Sequence, residues 1–193
     1  FVVGSKKITM NGKNPTLLYG YGGFEISLLP FYSSTIGKHW LSKGGVYVVA
    51  NIRGGGEFGP NWHQSALKKQ RHKAFEDFEA ISEDLIKRGI TSPKKLAIEG
   101  GSNGGLLMGV MLTRRPDLYK AILCSVPLLD MLRYPKLLAG SSWIGEYGDP
   151  SEKTMREYLK GYSPYHQVRP HVEYPEVFFM TSRTDDRVHP GHA

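Results

Sequence analysis

The sequence predicts an α/β fold in which a mostly parallel, doubly wound sheet is covered by helices on both faces. Strand-like apolar runs alternate with helix-like segments along the chain, which is the pattern of such a sheet. A Gly-x-Ser-x-Gly motif at residues 100–104 stands between a strand-like and a helix-like run. The 193 residues, 40% hydrophobic and 22% charged, are enough for a sizeable core. We therefore expect residues 1–193 to form a single domain.

Strands are predicted where β-branched, aromatic and aliphatic residues concentrate. These segments are residues 5–10, 16–19, 46–50, 95–99, 121–126 and 177–182. Asn11 and Gly12 form a hairpin-type turn signal between the first two segments. We therefore expect residues 5–10 and 16–19 to pair as a hairpin.

The helical pattern is clearest in residues 72–88. Apolar residues recur there at three- to four-residue spacing: Ala74, Phe78, Ile81 and Leu85. Gly89 follows at the position where helices commonly end in a left-handed residue. A second helix is predicted at residues 106–113, after the Gly-x-Ser-x-Gly motif, and residues 134–175 form an irregular, partly helical excursion.

Composition argues against several other classes of protein. The net charge is +7, but the densest basic run, residues 68–73, has no interleaved aromatic side chains on which bases could stack. We expect this run to be a solvated face or linker, and we expect no nucleic-acid partner. No apolar run has transmembrane length, so no membrane partner is expected, and the compartment stays open because residue 1 is not Met. The single cysteine, Cys124, excludes an internal disulfide and is expected to be a buried thiol.

The Gly-x-Ser-x-Gly motif predicts a nucleophile elbow at Ser102. A serine on a sharp strand-to-helix turn takes a strained backbone, and flanking glycines avoid collisions with the adjacent strand and helix. The Ser102 hydroxyl would stand above the strand ends, and the Asn103 N–H at the helix start would point toward any oxyanion formed there. The alternative is an ordinary serine in a glycine-rich turn.

A serine nucleophile also needs a base and an orienting acid, which follow such an elbow in the order Asp, His. Asp185 is the candidate acid, since it lies in the loop after the strand-like residues 177–182. His189 and His192 belong to the same loop, and we expect them to be local caps or solvent-facing groups. We therefore expect the catalytic histidine to lie beyond Ala193 and the 193 residues alone to be inactive.

Residues 54–59 match Gly-x-Gly-x-x-Gly, which is also the fingerprint of a dinucleotide-binding loop. That function needs an acid at the end of the next strand, about twenty residues on. The acids at that distance, Glu76 and Asp77, lie inside the predicted helix. We therefore favour a flexible loop beside the active site, and we expect neither a cofactor nor a metal ion.

Six motifs together resemble the catalytic domain of the prolyl oligopeptidase family. They are residues 19–24, 50–57, 100–105, 115–118, 162–164 and 185–188, and they span nearly the whole chain. The resemblance implies an α/β-hydrolase fold whose sheet is incomplete at its C-terminal end. It also implies a β-propeller before this domain and a histidine segment after it, neither of which these 193 residues include.

The resemblance assigns catalytic roles to individual positions. It implies Ser102 as the nucleophile and Asp185, rather than Asp186, as the acid of the triad. It implies two donors to the oxyanion, the Asn103 N–H and the Tyr21 hydroxyl. A phenol with an ordinary pKa near 10 is protonated at neutral pH and can donate in this way.

The implied substrate site is an apolar pocket for proline. Its residues are Phe24, Leu128, Trp143, Tyr147 and Val188. Such a pocket suits proline because the pyrrolidine ring is rigid and has no donor to satisfy. Arg187 matches the residue that holds a peptide carbonyl and fixes the scissile bond in line with the nucleophile. Each aromatic residue taken alone could instead be core packing.

Three functions remain open from the sequence. A serine peptidase that cleaves short peptides after proline leads. An esterase or lipase is the second, because an elbow and a triad do not define the acyl group, and a non-catalytic fragment is the third. Glu146, beside the pocket, also leaves open a preference for a basic residue at the cleavage site.

Overall fold

A six-stranded sheet organises the fold in the computed structural model, which describes residues 1–193. The strands are β1 (Val2–Val3), β2 (Thr16–Gly20), β3 (Val46–Ala50), β4 (Leu96–Gly101), β5 (Ala121–Ser125) and β6 (Glu176–Met180). Their spatial order is β1-β3-β2-β4-β5-β6, with β1 antiparallel to β3 and every other neighbouring pair parallel. The predicted mostly parallel sheet is thus confirmed.

Seven α-helices connect and cover the strands. They are α1 (Ser34–His39), α2 (Pro60–Gln64), α3 (His72–Lys87), α4 (Asn103–Arg114), α5 (Ile144–Tyr147), α6 (Lys153–Tyr162) and α7 (Pro164–Gln167). Short 3-10 helices lie at Leu41–Lys43, Lys68–Gln70, Pro116–Leu118, Tyr134–Lys136, Leu138–Trp143 and Pro190–His192. No helix combines the length and the apolar character that crossing a bilayer would require.

The predicted hairpin between residues 5–10 and 16–19 is wrong. Residues 5–10 form no strand, and β2 is instead a central strand with β3 and β4 on its two sides. Because β3 and β4 occupy both edges of β2, residues 5–10 cannot pair with it as an antiparallel strand. The turn at Asn11 and Gly12 therefore has another role. Gly12 takes a left-handed φ of 74° and its N–H donates to the Gly89 carbonyl at 2.7 Å, which ties the turn to the end of α3.

The helix predicted at residues 72–88 is confirmed as α3, which ends one residue earlier. Its buried face carries Ala74, Phe78 and Leu85, three of the residues that gave the periodic pattern. Gly89 follows with φ 68°, and a side chain there would come within 2.9 Å of the Met10 carbonyl oxygen. The left-handed turn and the close backbone approach explain why glycine ends this helix.

The two faces of the sheet bury different side chains because successive residues of a strand point in opposite directions. Leu18 and Ile98 belong to the main core, which also contains the apolar residues of α3 and α4. Leu17 and Val49 belong to a smaller cluster on the other face, against which Ile36 of α1 packs. Helices therefore cover both faces, as a doubly wound sheet requires.

The last strand, β6, is a sheet edge with an exposed apolar surface. It pairs only with β5, and Phe178, Phe179 and Met180 are 65%, 45% and 56% exposed. Cys124 of β5 is buried, as predicted, and burial raises the pKa of its thiol to about 12. Residues 134–175 contain α5 to α7 and two of the 3-10 helices, so the predicted partly helical excursion is also confirmed.

Candidate active site

Ser102 occupies the sharp turn between β4 and α4, with φ 56° and ψ −116°. Few non-glycine residues adopt a positive φ, and one that does needs its surroundings to hold it there. The neighbouring glycines permit the turn. A Cβ on Gly100 would lie 2.5 Å from the Gly104 carbonyl oxygen, and a Cβ on Gly104 would lie 2.6 Å from the Gly20 carbonyl oxygen. The backbone at this position is that of a nucleophile elbow.

The parallel strands bring the candidate residues to one edge of the sheet. Tyr21 directly follows β2, Ser102 directly follows β4, and Asp185 lies in the loop after β6. Because the strands are parallel, these carboxyl ends lie side by side, which is where ligands bind in open α/β sheets. A cavity of about 560 Å³ opens between them.

Nine of the ten candidate residues line this cavity. The lining consists of Tyr21, Phe24, Ile26, Ser102, Val126, Leu128, Ser142, Trp143, Tyr147, Asp185, Arg187 and Val188. The tenth candidate, Asn103, is fully buried behind it. No motif pointed to Ile26, Val126 or Ser142, which join the cavity through the path of the chain around it.

The Tyr21 hydroxyl is placed to interact with Ser102. Burial raises the pKa of the Tyr21 phenol, while the nearby Ser102 side chain and the charge of Arg71 act in the opposite direction. The pKa remains above its ordinary value, so the phenol keeps its proton at neutral pH. Tyr21 can therefore donate a hydrogen bond to an oxygen that develops negative charge beside Ser102.

Asn103 begins α4, a twelve-residue helix, so its backbone N–H lies among the helix-start donors that have no partner within the helix. Both polar atoms of the side chain form hydrogen bonds. Its amide nitrogen donates to the Tyr21 carbonyl at 2.6 Å, and its amide oxygen accepts from the Tyr147 hydroxyl at 2.8 Å and from Nη2 of Arg71. The side chain thus connects the elbow to the loop that follows β2 and to the cavity wall.

Asp185 shapes its own loop. Its Oδ1 accepts from the backbone N–H groups of Arg187 and Val188, both at 2.9 Å, while Oδ2 accepts no hydrogen bond. Asp186 is exposed and does not line the cavity. The loop therefore presents Asp185, with one free carboxylate oxygen, to the cavity that Ser102 also lines.

No histidine lines the cavity. His189 caps the 3-10 helix Pro190–His192, because its Nδ1 accepts from the Gly191 N–H at 2.9 Å, which confirms the predicted local role. His192 is neither a cap nor solvent-facing, since it is buried with its Nδ1 accepting from the Asp130 N–H at 3.2 Å. Burial lowers its pKa to about 4.

The aromatic wall of the cavity is formed by residues from separate parts of the chain. Phe24 packs edge-to-face on Tyr147, with ring centroids 5.6 Å apart and an angle of 85° between the ring planes. Trp143 is buried to 92% of its surface but contributes to the lining, as do the buried Leu128 and Val188. Arg187 is exposed at the rim. The cavity thus combines apolar walls with the cation of Arg187, the carboxylate of Asp185 and the hydroxyl groups of Ser102 and Tyr21.

Glu146 is not among the residues that line the cavity, so the structure does not support the alternative in which it selects a basic residue at the cleavage site. The side chain is only 5% exposed, and both carboxylate oxygens are taken. Oε1 accepts from the Phe24 N–H and from Nη1 of Arg71, each at 2.9 Å, and Oε2 lies 2.7 Å from Nε2 of His63. A buried carboxylate needs such partners, and they hold Glu146 away from the cavity lining.

Arg71 also corrects the prediction that residues 68–73 form a solvated face or linker. Lys68 and Lys69 are exposed, but Arg71 is only 1% exposed. The run switches from surface to core within a few residues because the Lys68–Gln70 3-10 helix turns the chain into the start of α3.

The glycine-rich residues 54–59 lie beside this site and show no dinucleotide-type arrangement. A Cβ on Gly54, which has φ 97°, would collide with the Gly22 carbonyl, so the glycine permits close packing of two loops. Asp77 accepts from the backbone N–H of Arg53 at 2.9 Å and pairs with its guanidinium at 2.6 Å. The acid that a nucleotide ribose would need is therefore anchoring the loop instead.

Comparison with known proteins identifies the family of this chain. The model of the prolyl oligopeptidase family matches residues 32–193. The chain belongs to the prolyl oligopeptidase family. It is 53% identical over its whole length to an uncharacterized peptidase of Sinorhizobium fredii, and 49% identical over 97% of its length to a prolyl endopeptidase of Elizabethkingia meningoseptica. In each case it spans 27% of the relative's length.

Solved structures of this family share the fold closely. A post-proline cleaving enzyme from Rickettsia typhi superposes with a TM-score of 0.98 at 50% identity, over 99% of this chain and 28% of that enzyme. The α/β-hydrolase fold expected from the motifs is therefore confirmed. The motifs and the family resemblance together drew attention to nine of the twelve residues that line the cavity. They gave no sign of Arg71, whose side chain lies behind that cavity.

Proposed function

We propose that the protein to which this chain belongs is a serine peptidase that cleaves short peptides after proline. The observation that carries the proposal is the single cavity onto which Ser102, Tyr21, Asp185 and the aromatic wall around Trp143 all open. A strained elbow serine beside a protonated phenol supports acyl transfer. The apolar aromatic wall supports selection of a rigid, donor-free ring such as proline.

The proposed reaction begins with attack of the Ser102 hydroxyl oxygen on the carbonyl carbon of the scissile bond. The serine proton passes to an imidazole and then to the departing amine, which leaves an acyl-enzyme. Water, deprotonated by the same imidazole, releases the peptide acid and regenerates the serine. In both steps the Tyr21 hydroxyl and the Asn103 N–H donate to the tetrahedral oxyanion.

The imidazole is proposed to come from outside residues 1–193. This proposal is supported by a cavity without histidine and by relatives nearly four times as long as the chain. The free Oδ2 of Asp185 would accept from the other ring nitrogen and fix the tautomer. The 193 residues alone would then retain only slow, base-free chemistry.

The substrate class follows from the cavity walls. The ring of proline would fit between Trp143, Phe24 and Tyr147, and Arg187 at the rim would donate to a backbone carbonyl of the peptide. A peptide substrate is also supported by prolyl oligopeptidase B from Galerina marginata, 36% identical to this chain, which has been solved bound to a 35-residue substrate as a serine-to-alanine mutant.

The test compares acyl groups on the full-length protein. We expect hydrolysis of a peptide anilide with proline before the cleaved bond to exceed that of the matching alanine and arginine anilides by more than tenfold. A neutral long-chain fatty ester is the control for esterase or lipase activity. A higher kcat/KM for the fatty ester, or for the arginine anilide, would contradict the proposal.

A further inference from the structure

We infer that Arg71 is a positioning residue that joins the oxyanion donors and the proline pocket into one unit, a role that rests on the function proposed above. Arg71 lies just before α3 and is only 1% exposed. Its two terminal nitrogens bond acceptors on two different helices. Nη1 donates to Glu146 of α5 at 2.9 Å, and Nη2 donates to the side-chain oxygen of Asn103 at the start of α4.

The shape of the guanidinium makes this connection possible. Its donors are fixed in a planar fork, so it can bridge two acceptors at once, whereas a lysine ammonium is a single point charge on a flexible chain. Arg71 also lies over the face of the Tyr147 ring, with 5.4 Å from its guanidinium carbon to the ring centroid. The side chain thus contacts the pocket wall as well as the two helices.

Arg71 controls both anchors of the loop that follows β2. At Tyr21 the loop is held by the hydrogen bond from the Asn103 amide to the backbone carbonyl, 2.6 Å long. At Phe24 it is held by the hydrogen bond from the backbone N–H to Glu146, 2.9 Å long. Arg71 bonds both anchoring side chains, and the loop between them carries the oxyanion hydroxyl and one wall of the pocket.

The loop needs this support because its backbone is strained and tightly packed. Phe24 and Glu25 have φ values of 56° and 57°, which non-glycine residues rarely adopt. Gly23 lies directly against the support, since a Cβ there would be 2.5 Å from the Asn103 amide nitrogen and 2.9 Å from Nη2 of Arg71. A change at Arg71 would therefore move Tyr21 and Phe24 relative to Ser102.

Such a role differs measurably from general stabilisation of the core. The loss of stability lowers the amount of folded enzyme, but it leaves the properties of the folded molecules unchanged. The loss of positioning weakens binding of the transition state more than binding of a ligand that only fills the pocket. The ratio of these two affinities therefore separates the two roles.

The experiment uses Arg71→Lys in the full-length protein. One ligand is a peptide aldehyde ending in prolinal, which forms a reversible hemiacetal with serine and places an oxygen at the oxyanion position. The other is a peptide acid ending in proline, which fills the pocket without a covalent bond. The matched control is Arg114→Lys, which alters another arginine–carboxylate pair, with Glu79 at 2.7 Å, at the far end of α4.

We expect Arg71→Lys to weaken aldehyde binding by at least about tenfold. The loss should stay below about a hundredfold, which is the effect of removing a whole oxyanion donor. Binding of the peptide acid should weaken by only about threefold at most, because this ligand uses the Phe24 wall but not the Tyr21 hydroxyl. Arg114→Lys should leave the binding of both ligands unchanged. Equal losses for both ligands, or no loss, would overturn the role of Arg71.

A second variant applies if Arg71→Lys does not fold. Glu146→Gln keeps an oxygen acceptor for Phe24 but removes the charge that faces Arg71, so it should weaken aldehyde binding in the same selective way, by a smaller factor. An unchanged ratio in Glu146→Gln would overturn the inference. A wild-type protein that binds no aldehyde at Ser102 would overturn both the inference and the proposed function.

Discussion

Gly23→Ala should impair catalysis although no reacting group is altered. The added Cβ would lie 2.5 Å from the Asn103 side-chain nitrogen, 2.8 Å from Cγ of Asn103 and 2.9 Å from Nη2 of Arg71. Ordinary contacts of a Cβ begin at 3.4 Å, so the Asn103 amide or the loop must move by up to about 0.9 Å to restore one. Neither buried partner can turn into solvent, because Asn103 and Arg71 are 0% and 1% exposed.

The magnitude follows from that displacement. Overpacking of this kind costs about 1–3 kcal/mol of stability, and a misplacement of about 1 Å can cost about a hundredfold in rate. We expect kcat/KM for a prolyl peptide anilide to fall by about 10- to 100-fold in the full-length protein, mainly through kcat. The rates are normalised to active sites titrated with a fluorophosphonate.

Gly37→Ala is the matched control. Gly37 lies in α1, has no heavy atom within 4 Å of its Cβ position, and alanine favours helix. This variant should retain wild-type kinetics and equal or greater thermal stability. Wild-type kcat/KM in Gly23→Ala would refute the close packing of this loop on Asn103 and Arg71.

Three further outcomes are expected in the full-length protein. Tyr21→Phe should lower kcat by about a hundredfold with little change in KM, because the hydroxyl acts mainly in the transition state. If steady-state kinetics instead show a rise in KM alone, Tyr21 serves substrate binding. Trp143→Ala should narrow the preference for proline over alanine anilides by about tenfold or more, and equal losses on both substrates would make Trp143 a packing residue. Cys124 should resist iodoacetamide at pH 8 in the native protein and react after unfolding, since burial raises its pKa to about 12. If mass spectrometry detects Cys124 alkylated within minutes in the native protein, that result would contradict its burial in β5.

The features that sequence predicted well depend on local geometry. The elbow at Ser102 needs only a strand, a tight turn and a helix in succession. Glycine is required at positions 100 and 104 because a Cβ there would collide with neighbouring backbone. The helix α3 likewise follows from the spacing of its own apolar residues. Such signals are complete within about twenty residues of chain.

The errors arose where distant residues decide the outcome. The turn signal at Asn11 and Gly12 is real, but β2 has both edges occupied by strands that lie about 30 and 80 residues further along the chain. In the sequence Arg71 belongs to a basic run that suggests a surface, whereas in the structure it is buried and paired with Glu146. The sequence likewise suggests that Glu146 is an acid of the pocket, whereas in the structure its two oxygens bond His63 and Arg71. Pairings of this kind are not visible in the pattern of neighbouring residues.

The central claim, that Ser102 is the nucleophile of a peptidase, is tested most directly by covalent labelling of the full-length protein with a fluorophosphonate, followed by peptide mapping. The account predicts one phosphonylated residue, Ser102, complete loss of prolyl peptidase activity in step with labelling, and protection by a peptide acid ending in proline. Ser102→Ala should neither label nor turn over substrate at more than a trace rate. Labelling at another serine, or near-normal turnover by Ser102→Ala, would contradict the account.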